Sequence, residues 1–150
     1  MQQSRTNSHI RLLRVLVLIA GLTAALAGSV RALLAEESEA YVVEVSDVTA
    51  KVGEPAVMHA TLRIRDGYRI LHAYNNRVIS LSSYDDGVAF DAKMVPATVQ
   101  EDALVFAVGL RATKAGKHPI NGIFRVGYIH GTDEMSMVSV RLMANVTGTE

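Results

Sequence analysis

The feature that most constrains the fold is an alternation of apolar and polar residues over residues 120–146, interrupted once by a short polar stretch. Phe124, Val126 and Tyr128 alternate with small or charged residues before the interruption, and Val138 begins a similar alternation after it. A period of two is typical of a β-strand that buries one face. The pattern therefore predicts two strands joined by a turn at residues 130–134.

The rest of the chain after residue 40 also reads as strands, with no segment that has the period of a helix. Turn signals such as Asp66-Gly67 recur along it, as in all-β domains. We predict a single all-β domain, an antiparallel immunoglobulin-like β-sandwich of about seven to nine strands, preceded by an N-terminal signal helix. Two further segments alternate as the hairpin does, and their apolar residues are expected to be buried: Met58, Ala60, Leu62 and Ile64 in one, Leu104, Phe106, Val108 and Leu110 in the other.

Three local patterns give more detailed expectations. Residues 41–50 predict one opening strand that bends near Asp47, and residues 88–95 predict one strand that ends at Pro96. Residues 72–77 are polar and predict a loop between strands.

The N-terminus carries a pattern typical of a secretory signal. Arg5, Arg11 and Arg14 precede an uncharged apolar run at residues 15–30, and small residues at 25–27 offer a cleavage site. The run is short for a bilayer span, which needs about 20 apolar residues. A retained signal-anchor is the alternative, because Arg31 directly after the run is unusual for a cleaved signal. We predict a signal peptide or signal-anchor with a short linker at residues 1–35 and one domain at residues 36–150. The domain is expected to be periplasmic or otherwise exported. It would be tethered to the membrane if the N-terminal segment is retained.

Charge and cysteine content narrow the possible functions. All fifteen acidic residues follow Ala35, whereas only eleven Lys or Arg do, so the predicted mature domain has a net charge of −4. A mildly acidic domain without a basic run argues against nucleic acid as the partner. The chain has no cysteine, so it has neither a disulfide nor thiol chemistry of its own.

No residue pattern indicates an enzyme. No serine lies in a nucleophile-elbow sequence, and the paired acids, such as Asp133-Glu134, fall in predicted turns where carboxylates usually bond the backbone. No glycine-rich loop leads into a helix, so phosphate binding is not expected. We predict that the protein is not an enzyme.

One cluster suggests a metal or a contact surface. Strand parity places Met135 and Met137 on an outward face, a few residues from His130. Thioether and imidazole ligands together suit Cu(I), but an outward methionine pair is also expected where a loop or partner packs. The other histidines, His59, His72 and His118, are expected at the surface, and Tyr68, Tyr74, Tyr84 and Tyr128 either line a groove or supply the aromatic packing of a small core.

Three segments resemble the N-terminal periplasmic domain of the thiol–disulfide interchange protein DsbD. They are residues 61–68 (TLRIRDGY), with a Gly-Tyr turn after a charged residue, the asparagine-containing residues 72–77 (HAYNNR), and residues 114–128 (KAGKHPINGIFRVGY) before the hairpin turn. The resemblance covers about residues 42–146 and implies an immunoglobulin-like sandwich in an exported compartment. The family places two redox cysteines after the position of Tyr128, and here residues 129–137 contain none. A thioether cannot replace a thiolate, so the reductase activity is not expected.

These observations predict a redox-inactive, exported binding or accessory module without a cofactor. Its partner would be another periplasmic or membrane protein, docked on the end of the sandwich that the resemblance implies. The alternative is a periplasmic copper-handling protein that binds Cu(I) through His130, Met135 and Met137. The residues predicted to contact a partner are Tyr68, His72, Tyr74, Tyr128, His130, Met135 and Met137.

Overall fold

The computed structural model describes residues 38–150, so the predicted signal segment at residues 1–35 lies outside the described residues. The all-β prediction is confirmed, but the count of seven to nine strands is wrong, because short strands at the sheet edges bring it to eleven. None of the described residues form a helix with the length and hydrophobicity that a bilayer span requires. The strands are β1 Tyr41–Val45, β2 Val48–Lys51, β3 Ala56–Ile64, β4 Tyr68–Ile70, β5 Arg77–Ser83, β6 Val88–Phe90, β7 Val95–Pro96, β8 Thr98–Gln100, β9 Ala103–Ala112, β10 Gly116–His130 and β11 Glu134–Thr149.

One sheet has five strands and is built around β3 and β9. Its order is β1-β3-β9, with β6 and β8 pairing with opposite ends of the far edge of β9. The predicted alternation is confirmed on both central strands, since every apolar residue assigned to the inner face is buried. Val57, His59 and Arg63 project from the outer face and are exposed.

The other sheet has six strands in the order β2-β11-β10-β5-β7, and β4 pairs with the end of β10 that β5 leaves open. Strands β10 and β11 form the predicted hairpin, with a continuous register from Gly116 opposite Gly148 to His130 opposite Glu134. The turn lies where it was predicted. Strand β2 adds to β11 in parallel, with Val48 opposite Val146.

Two segments that were predicted to be single strands divide between the sheets. The opening segment forms β1 in the five-stranded sheet and β2 in the six-stranded sheet, and the Asp47 carboxylate at the break accepts a hydrogen bond from the Asn145 amide of β11. Residues 88–95 form only β6 before the exposed residues 91–94 carry the chain across to β7. The predicted bend near Asp47 is therefore a change of sheet, and the predicted strand at 88–95 is wrong.

The inner faces of the two sheets share one hydrophobic core. Phe106 of β9 and Phe124 of β10 meet across the sheets with ring centroids 5.1 Å apart, and both are fully buried. The core includes residues from β1, β3 and β9 on one side and from β5, β10 and β11 on the other. Because the two sheets bury the same apolar surface, each depends on the other for its stability.

Candidate functional site

The turn end of the hairpin carries a row of aromatic rings on its inner face. Strand register places Tyr128 opposite Ile70 and His130 opposite Tyr68. Tyr128 packs against Tyr41 and Tyr68 at centroid distances of 6.2 and 5.7 Å, and Tyr68 stacks on His130 at 4.6 Å. Tyr68 and Tyr128 are therefore half-buried packing residues at the rim of the core, and only the outermost ring, His130, is exposed.

The outer face of the same hairpin end carries Tyr74, Met135 and Met137, which we call the methionine patch. Met137 lies opposite Gly127, and the Tyr74 ring lies directly over that glycine, where an added Cβ would be 3.0 Å from Tyr74 Cβ. Met135 and Met137 are 63% and 65% exposed. The prediction that these methionines face outward is confirmed.

The structure does not bring His130 to the face that carries the two methionines. In an antiparallel pair directly opposite residues project to one face and successive residues to opposite faces. His130 pairs with Glu134 and Met135 pairs with Ile129, so the imidazole and the thioethers leave the hairpin on opposite sides. His130 Nδ1 instead lies 3.5 Å from Glu134 Oε2.

The predicted contact residues thus divide into two groups. Tyr68, Tyr128 and His130 belong to the inner aromatic row, whereas Tyr74, Met135 and Met137 form the methionine patch. His72 is exposed in the loop that connects β4 to β5, the same loop that supplies Tyr74. The prediction of a loop at residues 72–77 is confirmed except that Arg77 begins β5.

A buried asparagine fixes this loop on β10. Asn76 Oδ1 accepts a hydrogen bond of 2.8 Å from the Gly127 amide, and its Nδ2 donates to the carbonyl oxygens of Leu71 and Tyr74 at 3.2 Å. At the hairpin turn, Arg69 donates to the carbonyl oxygens of Gly131 and Thr132. The backbone on both sides of the methionine patch is therefore held in place by side-chain hydrogen bonds.

Three arginines extend the outer face beyond the methionine patch, and sequence reasoning missed them. Arg77 of β5 lies directly opposite Arg125 of β10, which lies opposite Ser139 of β11, two residues before Arg141. The three project from the same face, and we call them the arginine face. Arg77 also lies over the Tyr74 ring, with Cζ 5.9 Å from the centroid, which makes the arginine face continuous with the methionine patch.

The arginines of the two sheets differ in their partners. On the five-stranded sheet, Arg63 contacts Asp102 at 2.8 Å and Arg111 lies 4.0 Å from Asp91. Within residues 38–150, no member of the arginine face forms an ion pair: Arg77 donates to the Asn75 carbonyl and Arg125 to Ser139 Oγ. Alternation marked Arg125 and Arg141 as outward, whereas Arg77 was assigned to a loop, and only the strand register shows that the three are neighbours.

A second polar site lies at the other end of β10, where His118 and Asp85 meet. His118 is 6% exposed, which contradicts the expectation of a surface histidine. Its Nδ1 contacts Asp85 Oδ2 at 2.7 Å and its Nε2 contacts the Lys114 carbonyl oxygen at 2.9 Å. The parity of the hairpin gives the missed signal, because His118 is two residues before Ile120 and shares its buried face.

The pKa shifts at this pair follow from its hydrogen bonds. Both imidazole nitrogens face acceptors, and only the protonated ring can donate from both. The bond to Asp85 is the main cause that raises the pKa of His118 above 6.5. The same bond, with those from the Gly87 amide and Ser83, lowers the pKa of Asp85 to about 2. The pair is a hydrogen-bonded structural contact, favoured by a protonated imidazole and an ionised carboxylate, that closes the turn after β5.

Comparison with known proteins does not identify a family. No protein-family model matches the chain, and no curated protein shows significant similarity to it. Among residues 38–150, no three His, Asp or Glu side chains lie close enough together to hold a metal ion.

The outer face of the six-stranded sheet offers two chemical capabilities. The methionine patch can make apolar contacts, and the arginine face can bind anions.

Proposed function

We propose that this protein is a redox-inactive, exported β-sandwich that binds another periplasmic or membrane protein through its methionine patch. The immunoglobulin-like character of the sandwich, its relation to the DsbD N-terminal domain and the export signal belong to this proposal. The two sheets with a shared core support the immunoglobulin-like character. The absence of cysteine supports the redox-inactive part, since thiol–disulfide exchange requires a thiolate.

The observation that carries the proposal is the exposure of Met135 and Met137 beside a fixed tyrosine. Methionine and tyrosine are enriched where proteins contact one another, because a flexible thioether and a rigid amphipathic ring bury apolar area on many partners. A structural explanation would require something to cover the two methionines. In the described part of the chain, both methionines are more than half exposed.

The support beneath the patch favours contact by a preformed surface. Asn76 holds the Tyr74 loop on β10, and Arg69 holds the hairpin turn. Partners that bind to an ordered surface lose less conformational entropy on association than partners that must order a loop. The proposed contact residues from the inner row, Tyr68, Tyr128 and His130, support the patch from the other side of the hairpin.

The experiment is site-specific photo-crosslinking in the cells that produce the protein. A benzophenone amino acid at position 137 is expected to give one discrete adduct, and the same amino acid at position 57 is the matched control, since Val57 is 51% exposed on the other sheet. The adduct is expected to disappear when Met135→Gln and Tyr74→Ala are added. Equal labelling from both positions would contradict a contact at the patch.

The copper alternative has less support, because His130 leaves the hairpin on the face opposite Met135 and Met137. Copper binding can be tested by titrating the full chain with Cu(I) under reducing conditions against a competing chelator. A Cu(I) site made from the three predicted ligands would weaken on His130→Ala and on combined Met135→Leu and Met137→Leu. The three residues do not form a site if both variants bind Cu(I) as wild type does. The same conclusion follows if the wild-type protein binds no Cu(I).

A further inference from the structure

We infer that the partner presents an extended acidic segment whose carboxylates bind the arginine face, Arg77, Arg125 and Arg141. This inference rests on the proposed binding function and specifies the chemistry of the partner. The predicted mature domain is acidic overall, yet the outer face of the six-stranded sheet carries guanidinium groups that have no carboxylate partner within the described residues.

The register of Arg77 and Arg125 is the first argument. Like charges directly opposite each other on neighbouring strands destabilise a sheet. Here two arginines occupy such positions, with their side chains directed to the Asn75 carbonyl and to Ser139 Oγ. Arg141 follows two residues after Ser139, the residue opposite Arg125, and so adds a third positive charge on the diagonal. An anion bound between them would relieve this repulsion, which makes the cluster more favourable in a complex than alone.

The contrast between the two sheets is the second argument. The outer face of the five-stranded sheet neutralises Arg63 with Asp102 and places Arg111 near Asp91. The same chain thus pairs arginine with carboxylate where the face has no proposed role. Arginine binds carboxylates through two parallel hydrogen bonds, so an unpaired cluster is suited to carboxylates from outside.

The form of the surface favours a peptide segment over a lipid surface. A groove beside Arg141 is lined by Tyr84, Asn121, Ile123 and Ser139. An amide, a hydroxyl and a phenol offer donors and acceptors that an extended peptide backbone can use, whereas a bilayer surface requires no such pattern. The apolar Ile123 beside Arg141, and the methionine patch beyond Arg77, further suit a segment that presents acidic and apolar residues on the same side.

The test uses the full chain and a labelled peptide that repeats Glu-Glu-Leu-Leu, so that each side of the extended peptide carries both residue types. Binding is followed by fluorescence anisotropy. The neutral probe is the same peptide with glutamine in place of glutamate. The double variant Arg125→Gln and Arg141→Gln is expected to bind the acidic peptide about tenfold more weakly than wild type, because charge-assisted hydrogen bonds contribute more than neutral ones. Added salt is expected to weaken wild-type binding.

The matched control is the double variant Arg63→Gln and Arg111→Gln, which removes the same charge from the other sheet. It is expected to bind the acidic peptide as wild type does, and all chains are compared for equal urea midpoints. Equal loss in both double variants would show a net-charge effect and overturn the inference. The inference would also be overturned if the acidic peptide did not bind. It would be overturned as well if phosphatidylserine-containing vesicles bound in place of the peptide and this binding depended on Arg125 and Arg141.

The crosslinking experiment separates failure of this inference from failure of the proposed function. If position 137 gives its adduct but the acidic peptide does not bind, the contact function stands and the acidic partner is wrong. If the peptide binds through Arg125 and Arg141 but position 137 gives no adduct, the arginine face binds anions and the methionine patch is not the contact.

Discussion

At the scale of single residues, His118 shows how a titratable group is accommodated at the rim of this core. Of the four histidines in the described residues, only His118 is buried. Its ring fills the space above Gly87, where any side chain would collide with it. Its two nitrogens are both engaged by acceptors, so burial does not leave a polar atom unsatisfied.

The pH dependence of stability is expected to follow this pair. Because the pKa of His118 is raised on folding, its contribution is complete below its unfolded pKa of about 6.5 and is lost as pH rises through the folded value. Because the pKa of Asp85 is lowered to about 2 from 3.8, its contribution is present above 3.8 and is lost as pH falls toward 2. Stability from the pair is therefore greatest between these limits.

The measurement is the urea midpoint of wild type and His118→Gln from about pH 5 to about pH 9, a range that crosses the pKa of the unfolded imidazole. At about pH 5, the variant is expected to lose about 1–3 kcal/mol of unfolding free energy, because a buried charged hydrogen bond is removed. The difference should shrink as pH rises past 6.5. His59→Gln is the control, since His59 is exposed on the other sheet. A constant difference at every pH would contradict a protonated His118.

At the scale of elements, the loop between β4 and β5 is organised by Asn76. Both flanking strands pair with β10, and the Asn76 side chain supplies the hydrogen bond to Gly127 that neither strand provides. The loop is thereby hydrogen-bonded to β10 much as a neighbouring strand would be. Its conformation determines where Tyr74 lies.

We expect Asn76→Ala to release this loop without unfolding the sheets. The Gly127 amide would lose its acceptor, and the variant is expected to lose about 1–3 kcal/mol of unfolding free energy. Hydrogen exchange at Gly127 should become faster, while exchange at Val126 should change little. Ser82→Ala is the control, since it removes a half-buried hydrogen bond to Asn121 elsewhere on β10. Unchanged exchange at Gly127 would show that the loop does not depend on Asn76.

Sequence patterns predicted the elements better than the relations between them. Alternation was sufficient for β3, β9 and the β10–β11 hairpin because each buries one full face. It failed at residues 88–95, where a run of mixed residues hides the crossing between sheets, and at 41–50, where a bend was expected but a change of sheet was not. The site was predicted in part: parity placed Met135 and Met137 outward, but the separation of His130 required the register of the turn.

At the scale of the whole molecule, Phe106 and Phe124 join the two sheets. Because their rings meet across the core, Phe124→Ala is expected to lose about 3–5 kcal/mol of unfolding free energy. The variants Phe106→Leu and Phe124→Leu, alone and together, are expected to show a coupling of about 0.5–1.5 kcal/mol in urea denaturation. Ile123→Ala, on the outer face, is the control. Additive effects of the two leucine variants would contradict direct coupling.

The parallel pairing of β2 with β11 has a consequence for how the domain is made. Val48 pairs with Val146, so an edge strand from the start of the domain has no partner until the last described strand has been synthesised. Contacts between residues so far apart in sequence form slowly. Until β11 has been made, β2 has no strand to pair with and β10 lacks its longest pairing. We therefore expect the six-stranded sheet to form late in folding, because β11 completes both the long hairpin with β10 and the pairing of β2.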